Sequence, residues 1–265
     1  MSLLSASNLS RIFICPPSAF LPREKFEMSR SAAKGTNVHA FINVCIEKGE
    51  EAARAELPAK MNGKALIDRI QVSEVLKDLI DIKSEVALRW DAEKDKCYIL
   101  GTNIGRNYYK AGARDYDIVG SVDIIATNPN TGHLVVADVK TGLQEVAAIS
   151  SDQLQALAVI ASELYPHNGK VETRIIKIND DGSATINSHV IDSNELRILK
   201  QKFAGLRLQV LDNANRYKKN EKLDLRESDN CKWCACASMC PLKNPSFGKL
   251  LFQSTPEGAA EISSI

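Results

Sequence analysis

Residues 120–142 read GSVDIIATNPNTGHLVVADVKTG, and no other stretch restricts the fold and the chemistry as much. Two apolar runs, Asp117–Thr127 and His133–Lys140, flank Asn128-Pro129-Asn130-Thr131-Gly132. β-branched runs favour strands and the joint has tight-turn chemistry, so the segment predicts an antiparallel hairpin. With a loop over Pro129–Gly132 and Asn128 opposite His133, Asp123 stands across from Asp138. Directly opposed residues share a face, with Cβ atoms about 4.5–5.5 Å apart. Alternation places Lys140 on that face too, and Val122, Ile124, Val135 and Val139 on the other, toward a core. A one-residue slip would undo the arrangement. Two carboxylates this close repel unless a cation holds them. A divalent cation with a lysine beside it suits hydrolysis of a phosphate ester: the ion organises phosphate and water, and the lysine offsets developing charge. An Asp-x-Lys on its own is common at solvated strand edges. Here apolar neighbours on both sides argue for a buried strand, where charges need a purpose.

The remaining patterns supply the frame. Helices are expected over Ser7–Ile14, ending at Cys15-Pro16-Pro17; from a Thr36 cap to about Glu47, on the stripe Val38, Phe41, Ile42, Cys45; and over Lys64–Ile80. His39 and Asn43 lie one turn apart beside that stripe. Strands are expected over Ile82–Trp90, Lys96–Leu100, 170–179 and 183–190, the last two joined by Asn179-Asp180-Asp181-Gly182. Ser150 or Ser151 caps a helix to about Leu164, and another runs from Ser193 to Arg216. The segment Leu21–Lys34 reads as a charged loop, and the last 20 residues as a loosely held tail. This order predicts an α/β fold with a mixed central sheet flanked by helices.

Taken in order, these motifs resemble the PD-(D/E)XK nucleases of the RecB type. The residues that carry the resemblance are Gly35-Thr36-Asn37-Val38-His39, Ser84-Glu85-Val86, Gly120-Ser121-Val122-Asp123, Asp138-Val139-Lys140-Thr141-Gly142 and Gln153-Leu154. Each motif is short, but five in series span most of residues 5–240. The resemblance implies a restriction-endonuclease-like core. It implies His39, Asp123, Asp138 and the Val139 carbonyl as ligands of Mg²⁺ or Mn²⁺, with Lys140 as the catalytic lysine. Glu85 would be a further carboxylate at or beside the metal, and Gln153 would orient groups there. A lone helix histidine is more often structural; its place after Gly-Thr favours ligation.

Four thiols crowd into Cys231-Lys-Trp-Cys234-Ala-Cys236-Ala-Ser-Met-Cys240-Pro241. Such crowding reads as a metal site, either Zn²⁺ or an iron–sulfur cluster, and the Cys-Pro ending favours the cluster. Some RecB-type members clamp a [4Fe–4S] cluster with one upstream Cys and three downstream ones spaced Cys-x₂-Cys-x₅-Cys. That implies Cys15 with Cys231, Cys234 and Cys240, and leaves Cys236 spare. The alternative is a local Zn²⁺ site on the four downstream thiols. Cys45 and Cys97 read as core residues.

Net charge is only +1 over 265 residues, which excludes a uniformly basic nucleic-acid coat but not a local groove. Arg106, Tyr108, Tyr109 and Lys110, with Arg114 nearby, interleave cations and aromatics as candidate nucleic-acid contacts; the alternative is a solvated loop with its rings tucked on the core. Neither a membrane span nor a signal peptide is read, so a cytoplasmic protein is expected, encoded by a phage or by its host. Residues 1–245 read as one nuclease domain and 246–265 as its tail. The expected activity is metal-dependent hydrolysis of DNA, exonucleolytic at a free or single-stranded end, in recombination, repair or processing, with a recombination or helicase protein as partner. The rival readings are a non-catalytic DNA-binding module and a zinc-stabilised structural module.

Overall fold

The computed structural model of the chain describes residues 3–23, 30–58, 60–141 and 147–245. The chain order is β1 (Leu4–Ser5), α1 (Leu9–Ile14), α2 (Arg30–Lys48), α3 (Glu50–Ala55), α4 (Lys64–Ile67), α5 (Val72–Val75), β2 (Ile80–Asp91), β3 (Lys96–Thr102), β4 (Ile118–Thr127), β5 (Leu134–Lys140), α6 (Asp152–Ser162), β6 (Lys170–Ile178), β7 (Ala184–Asp192) and α7 (Ser193–Lys218). The strands form one mixed sheet in the order β3-β2-β4-β5-β6-β7, with β1 parallel to β4. This is the mixed sheet flanked by helices that the sequence predicts.

One apolar layer, built from residues such as Ile12, Leu157 and Phe203, packs α1, α6 and α7 on one face of the sheet. A second layer, with Val38, Phe41 and Ile67, packs α2 to α5 on the other. The parallel β5–β6 pair requires a crossover, and α6 supplies it. Helix α6 starts where the Ser151 hydroxyl accepts from the Leu154 N–H, and α7 where the Asp192 carboxylate accepts from the Glu195 N–H.

The β4–β5 register is the one the turn chemistry predicts. The Asn128 N–H donates to the His133 carbonyl at 3.0 Å, and pairing runs from Thr127↔Leu134 to Ile124↔Ala137. There the ladder stops. Beyond it β5 keeps β6 as its partner through Lys140, β4 keeps β2, and β1 pairs with β4 at Ile118 and Val119. The strands therefore part at Asp123 and Asp138.

Four expectations need correction. Helix α2 begins at Arg30, so Thr36 is an interior residue and not a cap. Gly35 does not break the helix; it lets the helix approach β5, since a Cβ there would lie 3.3 Å from Thr141 Oγ1. The helix expected over Lys64–Ile80 is two short pieces, because the Gln71 N–H turns outward to the Gly182 carbonyl of the β6–β7 hairpin, at 3.2 Å. Val122 does not share a face with Ile124: it packs in the α6 layer, while Ile124, Val135 and Val139 pack in the α2 layer. The pleat thus reverses between Val122 and Ile124. Finally, the expected tail over 246–265, Gly142 of the Asp138–Gly142 motif, and residues 24–29 of the expected charged loop lie outside the described residues; Arg30–Lys34 of that loop belong to α2.

Candidate active site

The reversal in β4 has a counterpart in β2. Glu85 carries a φ of +49°, a left-handed conformation uncommon for any residue but glycine. Ser84 pairs with Ile124 and Val86 with Val122, and the Glu85–Asp123 step between them drops out of the ladder. Val86 faces the α6 layer, whereas Ile82 packs against the α2 layer. Two facing irregularities therefore place Glu85 and Asp123 at one point of the sheet.

His39 of α2 joins them there. Its Nδ1 lies 3.3 Å from Asp123 Oδ1, and ligand atoms of His39, Glu85 and Asp123 all lie within 4.8 Å of one another. The set of one imidazole and two carboxylates suits a divalent cation. The other Asp123 oxygen, Oδ2, accepts from the Val139 N–H at 2.7 Å, in place of the ladder bond that the fork removes.

Asp138 faces the opposite side of the fork. Its Oδ2 lies 2.7 Å from Lys140 Nζ, and its Oδ1 accepts from Gln153 Nε2 at 3.0 Å. The Lys140 side chain keeps 39% of its exposure, so the ammonium is open to an incoming group.

The electrostatics is that of a site short of positive charge. Burial and then the Asp123 charge push the Asp138 carboxyl above its ordinary range, against the pull of Lys140 and His39. Burial and Asp123 do the same to Glu85. Burial pulls His39 down, but the hydrogen bond and charge of Asp123, reinforced by Asp138 and Glu85, leave it above its ordinary value. Burial leads at both carboxyls and like charge adds to it, while attraction to the carboxylates outweighs burial at His39, and groups perturbed together in this way are typical of functional sites.

The candidate nucleic-acid loop is only partly available. Tyr108 is buried against Ala87, Ala113 and Val119, so it is corrected to a core residue. The Tyr109 hydroxyl donates to Asp115 at 2.5 Å. Arg106 and Lys110 stay exposed.

The cysteines gather as expected. Cys15, Cys231, Cys234, Cys236 and Cys240 line one cavity, together with the basic residues Arg11, Arg226 and Lys243. The two ends of the described chain therefore meet. Cys236 alone of the five is buried, 1% exposed, with its thiol 3.3 Å from the Leu21 carbonyl. The hydrogen bond from Cys236 draws the Cys234 thiol down to about 6, helped by Arg11 and Arg23.

Sequence reasoning missed a cluster of polar groups behind Glu85, formed by Asn43, Ser84 and Asn103. The spacing of His39 and Asn43 by one turn was its only sequence signal.

The sequence profile of the PD-(D/E)XK nuclease superfamily matches residues 3–241. No curated protein matches the chain. Among solved structures, one of SSO0001 is similar at 19% identity, covering 83% of this chain and 89% of that one, with a TM-score of 0.38. Another, from Eubacterium rectale and named "Putative exonuclease", is 13% identical over 89% of this chain and 87% of its own, with a TM-score of 0.45.

Proposed function

Because the chain belongs to the PD-(D/E)XK nuclease superfamily, we propose that it is a Mg²⁺- or Mn²⁺-dependent deoxyribonuclease that works from a free or single-stranded DNA end. The observation that carries this reading is the convergence of His39, Glu85 and Asp123 within 4.8 Å beside the Lys140–Asp138 pair. When bound, a divalent cation polarises a phosphate oxygen and lowers the pKa of water. His39 Nδ1 or Nε2 and the carboxylates of Glu85 and Asp123 would hold it. Asp138 is the next carboxylate at that point, and the Val139 carbonyl adjoins it on β5.

Lys140 Nζ donates to whichever anion faces it. Before substrate arrives that anion is Asp138; with substrate present, a phosphate oxygen or the attacking water competes for the same ammonium. Gln153 holds Asp138 Oδ1 in place during that exchange. Arg106 and Lys110 are open to phosphate contacts.

The thiol cavity fits the larger of its two candidate groups better. A tetrahedral Zn²⁺ with bonds near 2.3 Å holds its sulfurs about 3.8 Å apart. Among the described residues, no three cysteine sulfurs lie within 4.8 Å of one another. Cys15, Cys231, Cys234 and Cys240 would bind a [4Fe–4S] cluster, and Cys236 donates to backbone carbonyls instead. On this reading residues 1–245 are one domain closed by the cluster, 246–265 form its tail, and the protein acts in the cytoplasm in recombination, repair or processing alongside a helicase or recombination protein. No described helix is long and apolar enough to cross a membrane.

The test is a cleavage assay with Mg²⁺ or Mn²⁺ on end-labelled DNA, single- and double-stranded, linear and circular. Metal-dependent loss of label from linear DNA with circular DNA spared is the expected result. Cutting of closed circles overturns the exonuclease reading, and no cutting with either metal overturns the enzyme.

A further inference from the structure

Glu85 holds a backbone conformation that its own side chain does not favour, and its surroundings supply the reason. The Asn103 N–H donates to the Glu85 carbonyl at 3.0 Å. Asn103 itself has a φ of +55°, and asparagine tolerates that region better than most residues. Its side chain is held at both ends: Asn103 Oδ1 accepts from Asn43 Nδ2 at 2.9 Å, and Asn103 Nδ2 donates to Glu47 Oε1 at 2.7 Å. Asn43 in turn accepts at Oδ1 from the hydroxyl of Ser84, the residue before Glu85.

These bonds join three elements that each bear on the candidate metal group. Asn43 and Glu47 follow His39 on α2 at helical spacing, Ser84 and Glu85 lie on β2, and Asn103 follows the end of β3. Strained residues persist where their surroundings over-determine them.

We propose that Asn103, tied to α2 through Asn43, is the positioning residue that locks Glu85 in its left-handed conformation and so aims the Glu85 carboxylate at the cation shared with His39 and Asp123. The inference rests on the nuclease reading and deepens it. Neither asparagine touches the cation; both act through the orientation of Glu85. Partners that orient a metal ligand typically change metal affinity by about 10–100-fold when removed.

Asn103→Gly is the informative variant. Glycine suits the φ and keeps the main-chain donor to Glu85, while both side-chain bonds go. Asn43→Ala is the second variant; it cuts the link from a favourable helix position and leaves the left-handed residue untouched. Mn²⁺ affinity is read by titration calorimetry on the full chain, and cleavage is read alongside. Each variant should bind Mn²⁺ about tenfold more weakly than the wild type, and neither should weaken it further in a Glu85→Gln background, where there is no carboxylate left to aim. Wild-type affinity in both single variants, with Glu85→Gln weakened, overturns the inference and leaves the nuclease reading intact. Additive losses in the double variants also overturn it, since they assign the asparagines to general stability. A wild-type chain that neither binds Mn²⁺ nor cuts DNA overturns the nuclease reading, and this inference with it.

Discussion

Glu85→Gln separates the cost of the candidate site from its use. The substitution preserves shape and removes one negative charge facing Asp123. Their nearest ligand atoms lie within 4.8 Å, and two like charges at that separation repel by about 3.5 kcal/mol at an effective dielectric of 20 and about 0.9 kcal/mol in water. Glu85 is half-buried and partly offset by His39, so the lower part of that range applies, about 1 kcal/mol. In a chain of this size such a gain raises Tm by about 2–4 °C. The metal-free variant should therefore melt higher than the metal-free wild type, in chelator at about pH 8, where the carboxylates are mostly ionised.

With Mn²⁺ the variant's advantage disappears. A cation at 100 times its Kd stabilises the wild type by about 2.7 kcal/mol, and a tenfold loss of affinity cuts that to about 1.4 kcal/mol. Differential scanning fluorimetry with and without Mn²⁺ reads both effects in one experiment. A Gln variant that melts lower than wild type without metal, yet gains the full wild-type shift with it, would refute the reasoning: Glu85 would then be a structural strand residue outside any cation site.

Four further outcomes follow from the same geometry. Lys140→Ala should slow cleavage by about 10²–10³-fold, the usual cost of losing a group that stabilises transition-state charge, while Mn²⁺ binding persists; a wild-type rate in a pure preparation would remove Lys140 from the site. Glu85, Asp138 and His39 all have raised folded-state pKa values, so the stability they contribute without metal is full below their ordinary pKa values and is lost as pH rises through the raised ones. Metal-free Tm should accordingly fall from about pH 5 upward while Mn²⁺ affinity rises, because binding must displace those protons; a flat affinity between about pH 5 and pH 8 would contradict this. Cys15→Ser should strip most of the iron from anaerobically purified protein and lower Tm, while Cys236→Ser does neither, as read by iron and sulfide analysis; one Zn²⁺ per chain, insensitive to Cys15→Ser, would sink the cluster. Gly120→Ala should cost about 1–3 kcal/mol by chemical denaturation, because the new Cβ would lie 2.8 Å from the Ala6 Cβ and 3.0 Å from Leu157 Cδ2; an unchanged midpoint would mean that Ala6, just after β1, and α6 yield freely.

How much of this was legible depends on range. The Asn128–Gly132 turn is local chemistry, and it sufficed to set the β4–β5 register from Thr127↔Leu134 to Ile124↔Ala137, but not the same-face pairing expected of Asp123 and Asp138, where the strands part. Caps were legible for the same reason, as at Ser151. The gathering of Cys15 with the thiols of 231–240 came from the family spacing, since no local signal joins residues that far apart. Two features were not legible. The break at Gln71 is made by the distant Gly182 carbonyl, which overrides the helical pattern of Lys64–Ile80. The pleat reversals at Glu85 and Asp123 leave no trace in an apolar–polar alternation, because a left-handed residue shifts the phase without changing composition. Tyr108 illustrates the same ambiguity: interleaved aromatics and cations have one composition whether the rings stack on bases or on Val119.

The fork also explains why the site can draw on both sides of the sheet. His39 comes from the layer of α2, and Gln153 from the layer of α6. An unbroken sheet would keep those layers apart, with its hydrogen-bonded backbone between them. Where β4 and β5 part, Asp123 reaches His39 with one oxygen and the Val139 N–H with the other, while Asp138 reaches Gln153. A continued ladder would satisfy Val139 through the backbone and leave Asp123 free to point at only one layer. The fork costs ladder bonds and tolerates a strained Glu85, and the side-chain bonds at Asp123 and Asn103 compensate in part. The gap keeps the acidic side chains of Glu85, Asp123 and Asp138 gathered where the strands part, and the proposed cation would offset their charge there.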